Sequence, residues 1–363
     1  MSLLIFIAVL VVLILVHEWG HFIAAKKTGM RVDEFGIGFP PKVWGIKKGE
    51  TEYSVNALPI GGFVRIYGEN LDASAEDKDQ PRSFAARPKW AQAVVLVAGV
   101  TMNVVLAWFI YVGIFMAGMP TQVDEAAASP NAQLFLNSIL PTSPLAEVVK
   151  PGAEVLALSG EERNLESITP SAFRAFIETS AGEELILSYR YAGVEDAVTF
   201  TPQAGLIADE PERVAVGVAL ALVEQKDYGL LAAMKEATSF TWYGLKMITI
   251  GLTSYIADAF RGQADLAQVA GPVGIYGMVS DAAATGIVPL LMFTAIISLH
   301  LAVLNLLPFP ALDGGRLVMV LIESVTRRPI NPVWAMRVNA AGMIMLLLLI
   351  ALVTWSDVMK LIG

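Results

Sequence analysis

Two histidines and a glutamate stand close together in the run His17-Glu18-Trp19-Gly20-His21. If this run is helical, residues four apart lie on one face, with Cβ atoms about 5–6 Å apart. Two imidazoles at this spacing can bind one Zn²⁺ at about 2.0–2.1 Å each, and Glu18 is held nearby as a candidate general base for a water molecule. The run predicts a metal site. The alternative is a chance match, with the histidines bonded only to neighbouring backbone.

The element that carries this run reads as a membrane helix. Of the 363 residues, 55% are hydrophobic and only 16% are charged, against roughly 25% charged in soluble domains. Residues 3–16 are all apolar and the pattern continues to residue 25, and about 20 residues suffice to cross a bilayer as a helix. Ionisable groups inside a span are costly and usually functional, which favours the metal site over chance.

Three further apolar runs, at 91–117, 287–307 and 338–353, predict four transmembrane helices in all. Residues 230–256 carry a polar residue every three or four positions, which favours an amphipathic interfacial helix over a fifth span. The loop at 26–90 has eleven Lys and Arg, whereas 119–225 has five against sixteen Asp and Glu. This bias predicts that the first and last loops are cytoplasmic and that the middle segment lies across the membrane.

The third metal ligand has few candidates. The sequence has no cysteine and one further histidine, His300, whereas a catalytic zinc site needs three protein ligands and an open position. Asp313 follows the third span, beyond two prolines that unwind the helix, at the membrane depth predicted for His17 and His21. Asp313 is therefore the predicted ligand, and the alternative is that it only caps the next helix. His300 lies thirteen residues earlier, too far along a helix to join the same metal.

The remaining segments are not membrane helices. Alternation between residues 32 and 67 predicts strands that turn at Lys48-Gly49 and bend at residues 59–63. Residues 69–89 are polar and read as a flexible connector. From about residue 131 to 222 the composition is that of a small α/β module, with strands predicted at 134–140, 154–158, 185–191, 197–201 and 214–218 and a helix at 171–179.

Net charge and cysteine content exclude several classes of function. The net charge is −9, which leaves no basic surface of the kind that binds nucleic acid. The absence of cysteine excludes thiol catalysis and zinc sites ligated by cysteine. Two non-protease interpretations stay open: a membrane scaffold that holds partners, and a transporter or proton pathway. The latter lacks the inverted repeats that such folds show.

The sequence resembles the site-2 protease family of intramembrane zinc metalloproteases. HEWGH in the first membrane helix and NLLPFPALDGG after a later one carry the resemblance, and the bacterial branch that cleaves membrane-bound anti-sigma factors, the regulator of sigma-E protease-like branch, is the most similar. Residues 36–40, 59–63, 98–103 and 271–275 resemble further motifs of this branch. Residues 143–156 resemble a PDZ domain, and the length allows one such domain.

The resemblance implies a polytopic α-helical membrane protein with four transmembrane helices, a membrane-associated β segment, an inserted PDZ-like domain and an amphipathic interfacial helix. The implied segments are 1–27 (first transmembrane helix), 28–90 (cytoplasmic-side loop with the β segment), 91–118 (second transmembrane helix), 131–222 (PDZ-like domain), 228–260 (interfacial helix), 286–320 (third transmembrane helix and LDG motif) and 333–355 (fourth transmembrane helix).

The resemblance also implies the site and the substrates. Zn²⁺ would be bound by His17, His21 and Asp313, with Glu18 as the catalytic acid and base. Asn305 would contact the substrate backbone, although an interhelical hydrogen bond explains it equally well. The expected substrates are single-pass membrane proteins already cut by another protease. We expect an inner-membrane location, with the active site near the cytoplasmic side.

Two expectations concern substrate recognition. The β segment, with Gly61, Gly62 and Phe63, is expected to offer an edge strand to a substrate helix that unwinds, because unpaired backbone groups in hydrocarbon are costly. The PDZ-like domain either binds an extended peptide by strand addition or acts only as a bulky lid. The sequence does not distinguish these two roles.

Overall fold

The computed structural model of the chain describes residues 2–69, 79–161, 163–191, 193–206, 210, 212–263 and 269–362. Within these residues the helices are α1 (Ser2–Lys27), α2 (Lys89–Met116), α3 (Pro170–Glu178), α4 (Leu230–Phe260), α5 (Pro272–Thr285), α6 (Ile287–Leu306), α7 (Asp313–Thr326) and α8 (Pro332–Ile362). The strands are β1 (Val32–Lys48), β2 (Thr51–Ile66), β3 (Met119–Gln122), β4 (Gln133–Ile139), β5 (Glu154–Ser159), β6 (Leu185–Tyr191), β7 (Val194–Phe200) and β8 (Val218–Lys226). Two compact units result, one formed by the residues before Phe115 and after Gly229, the other by Phe115–Gly229.

Four of the described helices, α1, α2, α6 and α8, are long and apolar enough to cross a membrane. This confirms the four predicted spans. The fourth helix begins at Pro332, six residues before the predicted apolar run. Proline is favoured in the first turn of a helix, where its missing N–H is not needed, so the helix begins in a polar segment that hydropathy alone does not mark.

The first unit contains a hairpin of two long, bent strands. Strands β1 and β2 pair antiparallel with repeated shifts of register, so residues 34–37 have partners both at 52–55 and at 62–65, and residues 42–48 pair with 51–56. The turn at Lys48-Gly49 is confirmed. The half of the hairpin farthest from the core exposes large apolar side chains, among them Phe39, Val43 and Trp44. The predicted association of this hairpin with the membrane stays a prediction.

A hydrophobic core joins α1, α2 and this hairpin. Phe22 of α1, Phe35 of β1 and Val95 of α2 belong to one buried cluster, and the rings of Phe22 and Phe35 meet edge to face with centroids 5.5 Å apart. Helices α1 and α2 approach closely at Gly20, where a Cβ atom would lie 2.4 Å from the carbonyl oxygen of Ala98. The end of α1 that carries His17 and His21 is thereby held against α2.

Helix α4 packs in the first unit through small residues. Ala233, Ala237 and Thr241 are buried, and the Nε1–H of Trp108 on α2 donates to Oγ1 of Thr238 at 3.0 Å. Its 31 residues agree with the predicted helix, and it is not among the helices apolar enough to cross a membrane. Its placement at the membrane interface stays a prediction.

Helix α5 explains the glycines of the 271–275 motif, and sequence reasoning missed it as a helix. The carboxylate of Asp357 on α8 accepts a 2.8 Å hydrogen bond from the backbone N–H of Gly274, in the first turn of α5. A Cβ atom at Gly271 would lie 2.7 Å from the same carboxylate. Because helix N-termini carry free N–H groups and a partial positive charge, they favour such a carboxylate.

The second unit contains a mixed α/β module with one sheet, whose strand order is β3-β8-β4-β5-β6-β7. Its buried core includes Leu134, Leu136 and Leu187 from the sheet and Phe173 from α3. Strands β4, β5 and β6 agree with the prediction, and β3 was missed. The strand predicted at 214–218 is wrong, because Gly217 has φ +71 and β8 begins only after it. Between residues 69 and 89, positions 70–78 of the predicted connector lie outside the described residues, and a 3₁₀ turn occupies Gln80–Arg82.

Candidate metal centre and active site

Three side chains from two distant parts of the sequence, the end of α1 and the start of α7, meet at one point. Nε2 of His17 and Nε2 of His21 are 3.1 Å apart. Oδ2 of Asp313 lies 3.1 Å from the first of these atoms and 3.3 Å from the second. Within the described residues, this is the cluster of His, Asp and Glu side chains whose atoms could hold a metal ion together.

The triangle of ligand atoms fits a zinc ion. Two ligands bonded to Zn²⁺ at about 2.0–2.1 Å in a tetrahedral arrangement lie about 3.3–3.4 Å from each other, close to the observed separations. Oδ2 of Asp313 is buried and has no hydrogen-bond partner in the described part of the chain. Because a buried polar atom without a partner is costly, the arrangement is explained best by an ion that the three atoms share.

Helix α2 contacts the histidines at Nδ1, the ring nitrogen of each that does not face the cluster. Nδ1 of His21 is 2.8 Å from the backbone carbonyl of Val95, so Nδ1 carries the proton and Nε2 is left as an acceptor. This is the tautomer that a metal ligand needs. Nδ2 of Asn103 lies 3.5 Å from Nδ1 of His17. Sequence reasoning missed both roles: a backbone carbonyl leaves no signal, whereas an amide within an apolar run is a signal that could have been followed.

Glu18 is half-buried beside the cluster. Its carboxylate interacts electrostatically with His17, His21 and Asp313, and with Glu69 after β2. Within the described residues its side chain has no hydrogen-bond partner, so its oxygens are free to bind a water molecule. The position suits a group that takes up and returns a proton.

Asp313 is the first residue of α7, and the structure argues against the capping alternative. The N-cap is Leu312, and no side chain caps this end of the helix. The preceding segment folds tightly, because a Cβ atom at Gly314 would lie 2.3 Å from the carbonyl oxygens of Leu306 and Leu307. The Asp313 carboxylate therefore points to the histidines rather than to its own helix.

Asn305 and His300 of α6 lie outside the cluster. Asn305 is half-buried and makes no side-chain hydrogen bond within the described residues, which argues against the interhelical alternative. His300 is exposed, with Nδ1 2.9 Å from the carbonyl oxygen of Ile296 in its own helix. As expected from its distance along the sequence, His300 does not join the metal cluster.

Of the three predicted substrate residues of β2, Gly62 lies close to α1, whereas Gly61 and Phe63 contact β1. An added Cβ at Gly62 would be 3.1 Å from the carbonyl oxygen of Gly36 and 3.6 Å from side-chain carbons of Ile14 and Leu15, one turn before His17. Gly61 has φ +104, and its Cβ position is filled by the ring of Phe39. Phe63 packs over Gly36 in the same way, within 2.4 Å of a Cβ that a larger residue would add there.

A network of charges joins the end of α1 to the loop before α2. The Glu50 carboxylate accepts hydrogen bonds of 2.8 Å from two nitrogens of Arg82 and one of 2.6 Å from Lys26. These bonds, first those of Arg82 and then that of Lys26, lower the pKa of Glu50 to about 2. The ion pair of Arg316 with Glu69 similarly ties α7 to the residue that follows the hairpin.

Comparison with known proteins agrees with this site. The pattern of the family described as Peptidase family M50 matches residues 5–349. A Clostridium perfringens protein named as a zinc metalloprotease is 37% identical over 348 residues, which cover 95% of each chain. The regulator of sigma-W protease RasP of Bacillus subtilis is 27% identical over 433 aligned positions, which cover 98% of each chain.

The family match spans nearly the whole chain, the relatives cover it almost from end to end, and four apolar helices are long enough to cross a bilayer. This chain therefore belongs to peptidase family M50, the site-2 proteases, and is an integral membrane metalloendopeptidase that uses zinc.

Proposed function

We propose that this protein hydrolyses a peptide bond within the transmembrane segment of single-pass membrane proteins, with His17, His21 and Asp313 as the zinc ligands. The observation that carries the proposal is the meeting of their three ligand atoms within 3.3 Å of one another, around a carboxylate oxygen that otherwise has no partner. His17 and His21 belong to a helix that is apolar enough to span a membrane.

Zinc at this site would polarise the scissile carbonyl and make a water molecule more acidic. Glu18 takes a proton from that water and passes it to the leaving amine. The Glu18 carboxylate is close enough to interact electrostatically with all three ligands, and it makes no hydrogen bond within the described residues. Both properties suit a group that accepts and then returns a proton. Val95 holds His21 through its carbonyl, so the imidazole keeps one orientation during the reaction.

The substrate helix must unwind before its carbonyl is accessible, and the freed backbone groups then need partners. Within the described residues, no strand pairs with the edge of residues 62–65 that faces away from β1. A Cβ atom on Gly62, in this strand, would lie 3.6 Å from side-chain carbons of Ile14 and Leu15 on α1, so the strand runs beside the helix that carries the histidines. We assign Gly61, Gly62 and Phe63 to substrate binding by strand addition, and Asn305 to a hydrogen bond with the substrate backbone.

A graded substitution tests the strand. Gly62→Ala adds one methyl 3.1 Å from the carbonyl oxygen of Gly36, a close contact that a small shift can relieve. Gly62→Val also pushes against α1, so the rate of cleavage should fall modestly in the first variant and strongly in the second. The zinc content should not change in either. Unaltered turnover of Gly62→Val would contradict the role of this edge.

The second unit has a groove that fits an extended peptide, which favours peptide binding over a simple lid. A cavity of about 470 Å³ lies between α3 and the start of β8 and is lined by Phe173, Arg174 and Arg213, among others. Strand β3 covers only residues 223–226 of one edge of β8, so residues 218–221 are available there for strand addition. We propose that this PDZ-like domain filters substrates that another protease has already trimmed.

The charge bias of the loops supports a cytoplasmic-side active site and an extracytoplasmic PDZ-like domain in the cell membrane. The name of the Bacillus subtilis relative, regulator of sigma-W protease, supports membrane-bound anti-sigma factors as one substrate class. Remnants of signal peptides share the chemistry of a short membrane helix and form a second class.

Glu18→Gln separates the protease mechanism from its alternative, a membrane scaffold that uses the PDZ-like domain without catalysis. The purified variant should bind zinc but fail to cleave a single-pass substrate, because the amide cannot accept the proton from water. A variant that binds zinc and cleaves like the wild type would refute the mechanism. Glu147→Gln, in the second unit, is the matched control and should cleave normally.

A further inference from the structure

One face of α2 contacts the face of α1 that carries the histidines. Val95, Gly99 and Asn103 are four residues apart, so they lie one above another on a single helix face. His17 and His21 have the same spacing on α1. The 98–103 motif thus lies over the metal cluster, and the proposed reaction assigns it no role.

Gly99 provides the space in which the two imidazoles meet. A Cβ atom added there would lie 2.3 Å from Nε2 and 2.7 Å from Cε1 of His21, and 2.8 Å from Cε1 of His17. All three distances are shorter than side-chain contacts allow, and Nε2 of His21 is one of the proposed ligand atoms. Any larger residue would either displace the imidazole rings or force α2 to move away from α1.

Asn103 is fully buried and adjoins the other histidine. If His17 binds a metal through Nε2, its Nδ1 carries a proton and needs an acceptor. Nδ2 of Asn103 is 3.5 Å from Nδ1, while Oδ1 has no partner among the described residues. Because the two ends of an amide exchange on rotation, metal binding selects the orientation in which Oδ1 accepts the proton of Nδ1.

A third helix fixes Asn103 in place. Ser298 of α6 is fully buried, and its hydroxyl donates a 2.7 Å hydrogen bond to the backbone carbonyl of Asn103. The hydrogen bond therefore restricts movement of α2 relative to α6 at Asn103. A side chain that extends from a backbone held in this way is suited to orient a neighbouring ring.

We infer that α2 positions both histidine ligands: Val95 through its carbonyl, Asn103 through its amide, and Gly99 by leaving room for the rings. Gly99 and Asn103 are positioning residues, since neither belongs to the proposed zinc ligands or to the residues assigned to substrate binding. The inference rests on the proposed ligand set. It extends that set to a second helix that would determine how tightly zinc is held.

The test measures zinc rather than cleavage alone. The full-length protein is purified in detergent as wild type, Asn103→Leu, Asn103→Asp and Gly99→Ala, and each is titrated with a competing chelator to give its zinc affinity. The cobalt-substituted forms are compared by their visible absorption bands, which report the geometry of the ligands. Substitution of a group that hydrogen-bonds a metal-binding histidine usually costs about 10–100-fold in metal affinity.

Asn103→Leu should weaken zinc binding by about 10–100-fold and change the cobalt spectrum. Asn103→Asp keeps an acceptor and should restore affinity to within a few-fold. Gly99→Ala should lose at least as much affinity as Asn103→Leu. The matched control is Gly113→Ala on the same helix, where an added Cβ meets nothing within 4 Å, and it should bind zinc like the wild type.

Wild-type zinc affinity in both Asn103→Leu and Gly99→Ala would overturn the inference, as would equal losses in Asn103→Leu and Asn103→Asp. If Gly99→Ala does not fold, the pair of Asn103 variants still decides. His21→Ala and Asp313→Ala are measured in parallel. If these two retain zinc, the ligand set itself is wrong. If they lose zinc while the α2 variants keep it, only the inference about α2 fails.

Discussion

Gly342 of α8 holds the segment that presents Asp313, and replacing it by alanine should disable the enzyme. An added Cβ would lie 2.5 Å from Cβ and 2.6 Å from the carbonyl oxygen of Pro310. Carbon atoms in ordinary contact are about 3.5–4.0 Å apart, so the added methyl requires a displacement of about 1 Å. The proline ring is rigid. A hydrogen bond from the N–H of Ala311 to Oδ1 of Asn339, at 3.4 Å, joins α8 to the same segment.

The displacement is large compared with the tolerance of the site. Asp313 follows Pro310 by three residues, and its Oδ2 lies 3.1 Å from Nε2 of His17. Active-site groups need to be held within about 0.5 Å of their working positions, and a misplacement of about 1 Å can cost about 10²-fold in rate. We therefore expect Gly342→Ala to cleave a single-pass substrate about 10²-fold more slowly, with weaker zinc binding.

The assay is the initial rate of cleavage by the purified full-length protein in detergent, with zinc content measured on the same samples. Gly251→Ala in α4 is the control, because an added Cβ there meets nothing within 4 Å. A Gly342→Ala protein with wild-type rate and zinc content would refute the reasoning, since it would show that α8 moves away without disturbing Asp313.

Three further substitutions test other contacts. Ala311 has φ +76, and a left-handed conformation costs a non-glycine residue about 1–2 kcal/mol. Glycine avoids this cost but loses more entropy on folding, so Ala311→Gly should raise the free energy of unfolding by about 0.5–1 kcal/mol. A lower melting temperature would contradict this. The pKa of Glu50 is lowered to about 2, so its ionised form stabilises the fold above pH about 4.5, and this contribution is lost as the pH falls towards 2. Glu50→Gln should flatten the pH dependence of the free energy of unfolding in that range. An unchanged profile would argue against the ion pairs. Ser143→Ala removes the hydroxyl that donates to the carbonyl of Val216 at 2.5 Å. The buried carbonyl is then left without a partner, which costs about 1–3 kcal/mol of stability and should speed hydrogen exchange at residues 213–217. Unchanged exchange would show that the loop does not depend on Ser143.

The membrane helices could be predicted because their signal is local. Apolar runs at 3–25, 91–117 and 287–307 become α1, α2 and α6 with ends that differ by a few residues. Helix α5 was missed because its sequence mixes glycine, alanine and polar residues. What stabilises its first turn is a carboxylate on α8, 83 residues away in the sequence, which no local pattern reveals.

The metal cluster was predictable in part for the same reason. His17, Glu18 and His21 form a local motif, and Asp313 followed from membrane depth, a constraint that acts across the whole chain. The carbonyl of Val95 and the space above Gly99 are properties of packed backbones. The strand predicted at 214–218 failed because a positive φ at Gly217 interrupts an otherwise apolar, β-branched run.

The distance along the chain between the metal-binding side chains has a consequence for biosynthesis. His17 and Asp313 are separated by 296 residues, and ribosomes add about 5–20 residues per second. With the proposed ligand set, a nascent chain cannot complete the metal centre until about 15–60 s after the first histidine is made. By then α1, α2 and α6 have all been synthesised, so the protease gains its activity only after most of its own membrane domain is in existence.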